Sequence, residues 1–345
     1  MRRGATSLVL AATCASVLAC QKDVPPRSNS VPGPSYTPLS PQVLALIAPP
    51  PADPSAAIPL SPRAAASLAD DVARRVEAAK TAPDHPHHVV PVAGMFVLAD
   101  GDDGARLDAA VDLTQRLVSA LSGPVFAHPP AKGTMVWIYG TGPFFEQGVR
   151  DHTHWYTFNK DEHPGFGMYE AQTRTIVVRT DTGGLGDLGH EIVHVLAGSD
   201  APRAPAFLEE GVPSLAEISV FSKGPDGRET VRFGAHFRLQ TLRDVLAGHD
   251  ADKRAQIRVE STFALQTYVD FHETGPEYLH YASSRELCRF LFQRGQLWDF
   301  WRAARDSVLE DPTANMAFKK VTGKMPAEMT DEFFAWVQSK QAEGT

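Results

Sequence analysis

The chain has 345 residues, with 33 basic and 41 acidic side chains and three cysteines. Hydrophobic residues make up 43% and charged residues 21%, which excludes a chain disordered throughout and allows one or two domains with a sizeable core. A formal charge of -8 argues against a nucleic-acid binder, which carries a basic face, and three cysteines cannot build a disulfide scaffold.

Arg2 and Arg3 precede a short apolar stretch running from Leu8 to Ala19. A membrane-spanning helix needs about 20 apolar residues, so this stretch reads as an export signal. It ends in Val17-Leu18-Ala19-Cys20, which resembles a bacterial lipobox. That resemblance implies cleavage after Ala19, lipidation of Cys20 and an exported protein anchored to the bacterial cell envelope, periplasmic or on the outer surface. An ordinary signal peptide that leaves Cys20 free is the alternative. Loss of Arg2 and Arg3 with residues 1–19 leaves 31 basic against 41 acidic side chains. Residues 21–63 hold twelve of the 27 prolines, a composition that favours an extended chain over a packed core. Residues 20–63 are therefore expected to form a disordered tether.

The folded part is expected to start at Ser61-Pro62, a cap followed by proline in the first turn of an alanine-rich helix running to Lys80. Residues 64–90 thus form a helix and a His/Pro-rich joint containing His85, His87 and His88. The apolar run Val89 to Leu98 reads as a strand, Gly101 to Gly104 as a turn, and Ala105 to Leu121 as a helix. Thr134–Tyr139 and Thr175–Arg179 read as two further strands. Beyond residue 200 helical patterns dominate and strands nearly vanish. The order predicts an α+β unit over 91–340, with an α/β lobe at 91–200 and a helical lobe at 201–340.

The chemistry concentrates in Gly189-His190-Glu191-Ile192-Val193-His194, an H-E-x-x-H pattern. Positions i and i+4 share one helical face, so His190 and His194 can present imidazole nitrogens to a single metal ion. Glu191 can meet a metal-bound water without ligating the metal. One zinc ion suits two imidazoles with an open position for water. Random placement of 13 histidines and 17 glutamates in 345 residues gives roughly 0.02 such patterns. Two core histidines beside an unrelated glutamate would leave buried charge unpaired, so a metal is the simpler account.

Downstream, Phe207-Leu208-Glu209-Glu210-Gly211 resembles the aromatic-Leu-x-Glu-Gly segment of the gluzincins, the thermolysin and aminopeptidase N group of zinc peptidases. The resemblance implies that Glu210 is the third metal ligand. The metzincin pattern fails, because Ala197 and Asp200 stand where it needs glycine and histidine. Tyr281-Ala282-Ser283-Ser284-Arg285-Glu286 resembles the Tyr-led helix of aminopeptidase-like members. This implies an oxyanion-donating role for Tyr281, with Tyr278 one turn earlier as reserve. Gly167-Met168-Tyr169-Glu170 and Thr175 to Arg179 look like the edge strands that line the cleft in this group. Over roughly residues 90–310 the chain is similar to bacterial peptidase-MA-like proteins.

The family resemblance implies a zincin fold of the thermolysin type and a membrane-anchored zinc peptidase acting on peptide or protein substrates, with Glu191 as general base. The alternative is a catalytically inactive, peptidase-like lipoprotein that binds a peptide, glycan or protein partner at the envelope. A purely structural zinc site would need a fourth protein ligand that the motif does not offer. Two departures from the family stand out. Pro213 falls inside the ligand helix and predicts a kink or a late start, with Glu209 or Glu217 as substitutes for Glu210. The Gly-x-Met-Glu-Asn segment of aminopeptidases is absent. His152, His154 and His163 read as a loop at the cleft rim, and Cys288 as a buried packing thiol.

Overall fold

The computed structural model describes residues 58–82, 88–102, 105–155, 165–181 and 185–343. The signal, the lipobox with Cys20, most of the tether, and His85, His87 and His163 lie outside the described residues. Helix α1 (Pro62–Lys80) starts as expected. The Ser61 hydroxyl accepts from the Ala64 amide at 3.2 Å, and Pro62 occupies a first-turn position where no amide donor is needed.

The expected single strand over Val89–Leu98 is instead a hairpin, β1 (Val89–Val92) and β2 (Phe96–Asp100). Ala93 and Gly94 adopt positive φ, 51° and 68°, and reverse the chain inside an apolar run. Helix α2 (Leu107–Leu121) follows, then β3 (Thr134–Tyr139), α3 (Gly142–His152), β4 (Gly167–Glu170) and β5 (Thr175–Arg179). The sheet order is β1-β2-β3-β5-β4. The inner strands β2, β3 and β5 run parallel, and β1 and β4 close the edges antiparallel.

Both faces of the sheet are covered, which is why β3 reads as a continuous apolar run. Alternate residues divide between two cores. Val97, Ala99, Met135, Trp137 and Val177 pack with Leu68 and Val72 of α1 and with Phe145 and Val149 of α3. Phe96, Leu98, Val136, Ile138, Ile176 and Val178 face the other way, towards α2 and helix α4 (Gly186–Asp200). The α4 helix is thus held between the sheet and everything that follows.

The second half is mostly helical: α5 (Ala206–Leu215), α6 (Phe237–Ala247), α7 (Ala251–Gln256), α8 (Val259–Phe263), α9 (Tyr268–His272), α10 (Glu277–Gln293), α11 (Leu297–Asp306), α12 (Asn315–Thr322) and α13 (Pro326–Gln338). It also contains a hairpin the sequence did not announce, β6 (Ser219–Lys223) and β7 (Glu229–Phe233). The turn Ala216–Ile218 joins it to α5. Pro213 does not delay α5, which begins at Ala206 and runs through the proline to Leu215.

Helix α10 is buried on every side from Leu279 to Phe292, and it carries three fully buried charges, Arg285, Glu286 and Arg289. Burial is tolerable because they are paired and hydrogen-bonded. Arg285 donates to the Ser214 and Gly234 carbonyls at 3.0 and 2.9 Å, and Arg289 to those of Phe233 and Ala342 at 3.3 and 2.5 Å. Glu286 accepts from both arginines. One helix is thereby tied to α5, to β7 and to the C-terminal turn. Among the described residues no helix is long and apolar enough to cross a membrane.

Candidate metal centre

Two glycines let α4 approach its neighbour closely. A β-carbon on Gly186 would stand 2.8 Å from the Glu217 carbonyl oxygen, and one on Gly189 would stand 2.8 Å from that of Ala216. The helix therefore lies directly against the turn that follows α5, and Glu217 is brought to the first histidine of the motif. At Gly167 a β-carbon would lie 3.6 Å from Cγ of Glu191, so edge strand β4 passes beside that glutamate. Helix α5 is seated on α10 through Gly211, whose β-carbon would meet the Ser284 carbonyl at 2.7 Å. Glu210 enters the site from that crossing.

His190, His194 and Glu210 are all buried, and one ligand atom from each lies within 4.8 Å of the others. Nε2 of His190 is 2.8 Å from Nε2 of His194, and Oε2 of Glu210 is 3.6 Å from each of them. Neither Glu209 nor Glu217 joins this group. Three atoms that accept hydrogen bonds or bind cations thus converge on one point.

The surroundings fit a cation there. Oε2 of Glu210 and Oε2 of Glu191 are buried without a hydrogen-bond partner, a costly arrangement in a low-dielectric site. Glu217 contacts Nδ1 of His190 at 3.2 Å. A carboxylate there accepts the Nδ1 proton and leaves Nε2 of the neutral ring with its lone pair towards the other ligands. Arg238 and His236 hold the far oxygen of Glu217, His236 at 3.1 Å. His190, His194 and Glu210 can hold a metal ion.

The carboxylates divide by environment. Burial pushes Glu191 up to about 8, and Glu210, Asp187 and Glu217 add to the rise against His190. Burial also acts on Glu210, but the charge of His194 and the nearby imidazoles of His190 and His272 outweigh it and hold the group well below its ordinary range. Glu217 is likewise buried yet lowered, chiefly by Arg238. Two carboxylates are therefore kept ionised while Glu191, with no donor on one oxygen, resists losing its proton.

Tyr281 sits beside the ligands. Its ring centroid is 6.5 Å from that of His190, and the Arg238 guanidinium lies 5.2 Å over its face. Tyr278 is 41% exposed on the same helix. Of the histidines expected in loops, His152 instead ends helix α3 and stacks on Trp137 at 3.9 Å, His154 pairs with Glu170 at 3.3 Å, and His88 pairs with Asp100 at 2.9 Å. Cys288 is buried. Asp200 serves as a latch, accepting from the His128 amide and Trp301 Nε1 and pairing with Arg305.

Two groups near the ligands carried no motif. One is Arg238 with His236 behind Glu217. The other is His272, whose Nε2 is 3.8 Å from Oε1 of Glu210 and whose Nδ1 is 2.6 Å from Glu277. For His272 the sequence signal is the run of His and Glu over residues 272–280, with no repeating spacing; for His236 and Arg238 there is none. Compared with protein-family models, curated proteins and solved structures, the chain gives no match.

Proposed function

We propose that the protein is a zinc-dependent peptidase of the gluzincin type, exported and lipid-anchored to the cell envelope through Cys20. The convergence of Nε2 of His190, Nε2 of His194 and Oε2 of Glu210 carries the reading. Their separations of 2.8, 3.6 and 3.6 Å bracket the edge of about 3.3 Å expected for a tetrahedron with zinc bonds of 2.0–2.1 Å. Three protein ligands and an open position are the donor set of a catalytic rather than a structural site.

A zinc ion held there supplies Lewis-acid polarisation of a carbonyl and acidifies water. Glu191, buried beside the ligands, takes the proton of the attacking water as general base and passes it to the leaving amine. Tyr281 donates a hydrogen bond to the oxygen on which charge develops. Among the described residues β4 pairs with β5 alone, which makes it the strand to which an extended peptide would add at the sheet edge. Strand β4 itself passes beside Glu191 at Gly167, so a peptide added to it would lie near the base.

Glu191→Gln tests the assignment. The variant is expected to keep one equivalent of zinc and to lose hydrolysis of a fluorogenic peptide library. A fully active variant, or a wild type that purifies and remains without metal, overturns the reading. Retained zinc with an inert wild type would point instead to a peptide-binding lipoprotein. Palmitate labelling that survives Cys20→Ser would refute the anchor.

A further inference from the structure

We propose that His272 is a positioning residue for Glu210, holding the carboxylate oxygen turned away from the two imidazoles so that Glu210 meets the metal through Oε2 alone. This rests on the metal reading above and adds a residue that no motif marks. Oε2 of Glu210 lies 3.6 Å from both ligand nitrogens, whereas Oε1 lies 3.8 Å from Nε2 of His272. The two oxygens thus face different groups. Nδ1 of His272 is committed to Glu277 at 2.6 Å, which aims the opposite edge of the ring at Glu210.

The ring has little freedom to leave. The His272 side chain is only 8% exposed, and the Tyr268 ring lies 4.2 Å away. The preceding residue is fixed as well: His280 Nδ1 donates to the Phe271 carbonyl at 2.6 Å. Glu277 and His280 both lie on α10, the helix on which α5 and Glu210 are seated. One helix therefore places the carboxylate and the group that orients it.

A carboxylate whose second oxygen is unheld can turn and bind through both. That would fill the coordination position an attacking water needs. Partners that orient a ligand in this way typically change metal affinity by about 10- to 100-fold.

The test uses the full chain with His272→Ala, His272→Gln and Glu277→Gln. Zinc affinity is read by competition with a chelator, and ligand geometry by the visible absorption of the cobalt(II)-substituted protein. The expected result is a loss of zinc affinity of about 10- to 100-fold for His272→Ala, with weaker cobalt bands of higher coordination number. Partial recovery is expected for His272→Gln, which keeps an N–H donor, and a smaller shift for Glu277→Gln. Affinity within twofold of wild type and an unchanged cobalt spectrum in His272→Ala overturn the proposal. Should that variant not fold, an unchanged zinc affinity and cobalt spectrum in Glu277→Gln, which removes the partner that aims the ring, overturn it. Failure of the wild type to bind zinc defeats the metal reading itself, a separate outcome.

Discussion

Gly211 lies under the carbonyl of Ser284, so close that a β-carbon on it would stand 2.7 Å from that oxygen and 2.9 Å from Sγ of Cys288. The contact joins the backbone next to Glu210 to the helix that carries Tyr281. Gly211→Ala forces the two helices apart, because a backbone carbonyl cannot rotate away as a side chain can. The expected cost is about 1–3 kcal/mol of stability, together with weaker metal binding. Thermal unfolding with and without excess chelator measures both. A variant as stable and as tight as wild type would show that the crossing has slack.

That crossing also separates what could be read in the chain from what could not. His190, Glu191 and His194 share one helical face, so spacing alone announces them. Glu210 is sixteen residues further on and was indicated by likeness of its segment, not by geometry. Glu217 reaches the site because Gly186 and Gly189 allow backbones to touch, His272 arrives on a separate short helix, and no local pattern encodes which backbones meet. The hairpin at Ala93-Gly94 was hidden for a different reason: a non-glycine residue with positive φ sits inside an apolar run. The β6–β7 hairpin leaves no comparable apolar run, because its first strand is half exposed. Strands β3 and β5 and helix α1 fell where expected, since burial on both faces or a capped amphipathic repeat leaves a local signature.

The buried charges of α10 make a second prediction. Removing Arg289 leaves Glu286 with one partner fewer and strips a donor from the Phe233 and Ala342 carbonyls. Arg289→Ala is expected to lose about 3–5 kcal/mol, the usual cost of breaking a buried pair. The surface pair Arg302–Asp299, with side chains 38% and 58% exposed, is the control, and Arg302→Ala should change stability little. Urea unfolding of both variants checks the contrast. Equal effects would mean that the α10 network contributes no more than a solvated pair.

The raised proton affinity of Glu191 gives a pH prediction for the metal-free protein. Burial lifts this group from 4.5 to about 8. The folded chain then keeps a proton that the unfolded chain has released, so this group's contribution to stability is full below pH 4.5. It is lost as pH rises through about 8. Glu191→Gln removes that loss, and its advantage over wild type should grow between pH 5 and pH 8 to a few kcal/mol, since each tenfold difference in proton affinity is worth about 1.4 kcal/mol. Glu210 and Glu217 act in the opposite sense, so the comparison is the difference between the two proteins and not the slope of either. Added zinc favours the carboxylate and should shrink the gap. A gap that is flat with pH would place Glu191 in contact with water.

Cys288 offers a way to watch the site open. Its thiol is fully buried, and burial raises it far beyond the ordinary thiol range, so the reactive thiolate is scarce. In the native protein the peptide containing Cys288 should resist iodoacetamide at pH 8 and react completely in guanidinium, as followed by peptide mass mapping. The sulfur sits against Gly211, one residue from Glu210, so lifting α5 from α10 uncovers it. That motion carries Glu210 away from His190 and His194 and disassembles the ligand set. Zinc binds only the closed form and should slow labelling in proportion to its concentration over its dissociation constant. Labelling that is fast, or that ignores zinc at saturating concentration, would uncouple the thiol from the metal centre and contradict this account of how α5 is held.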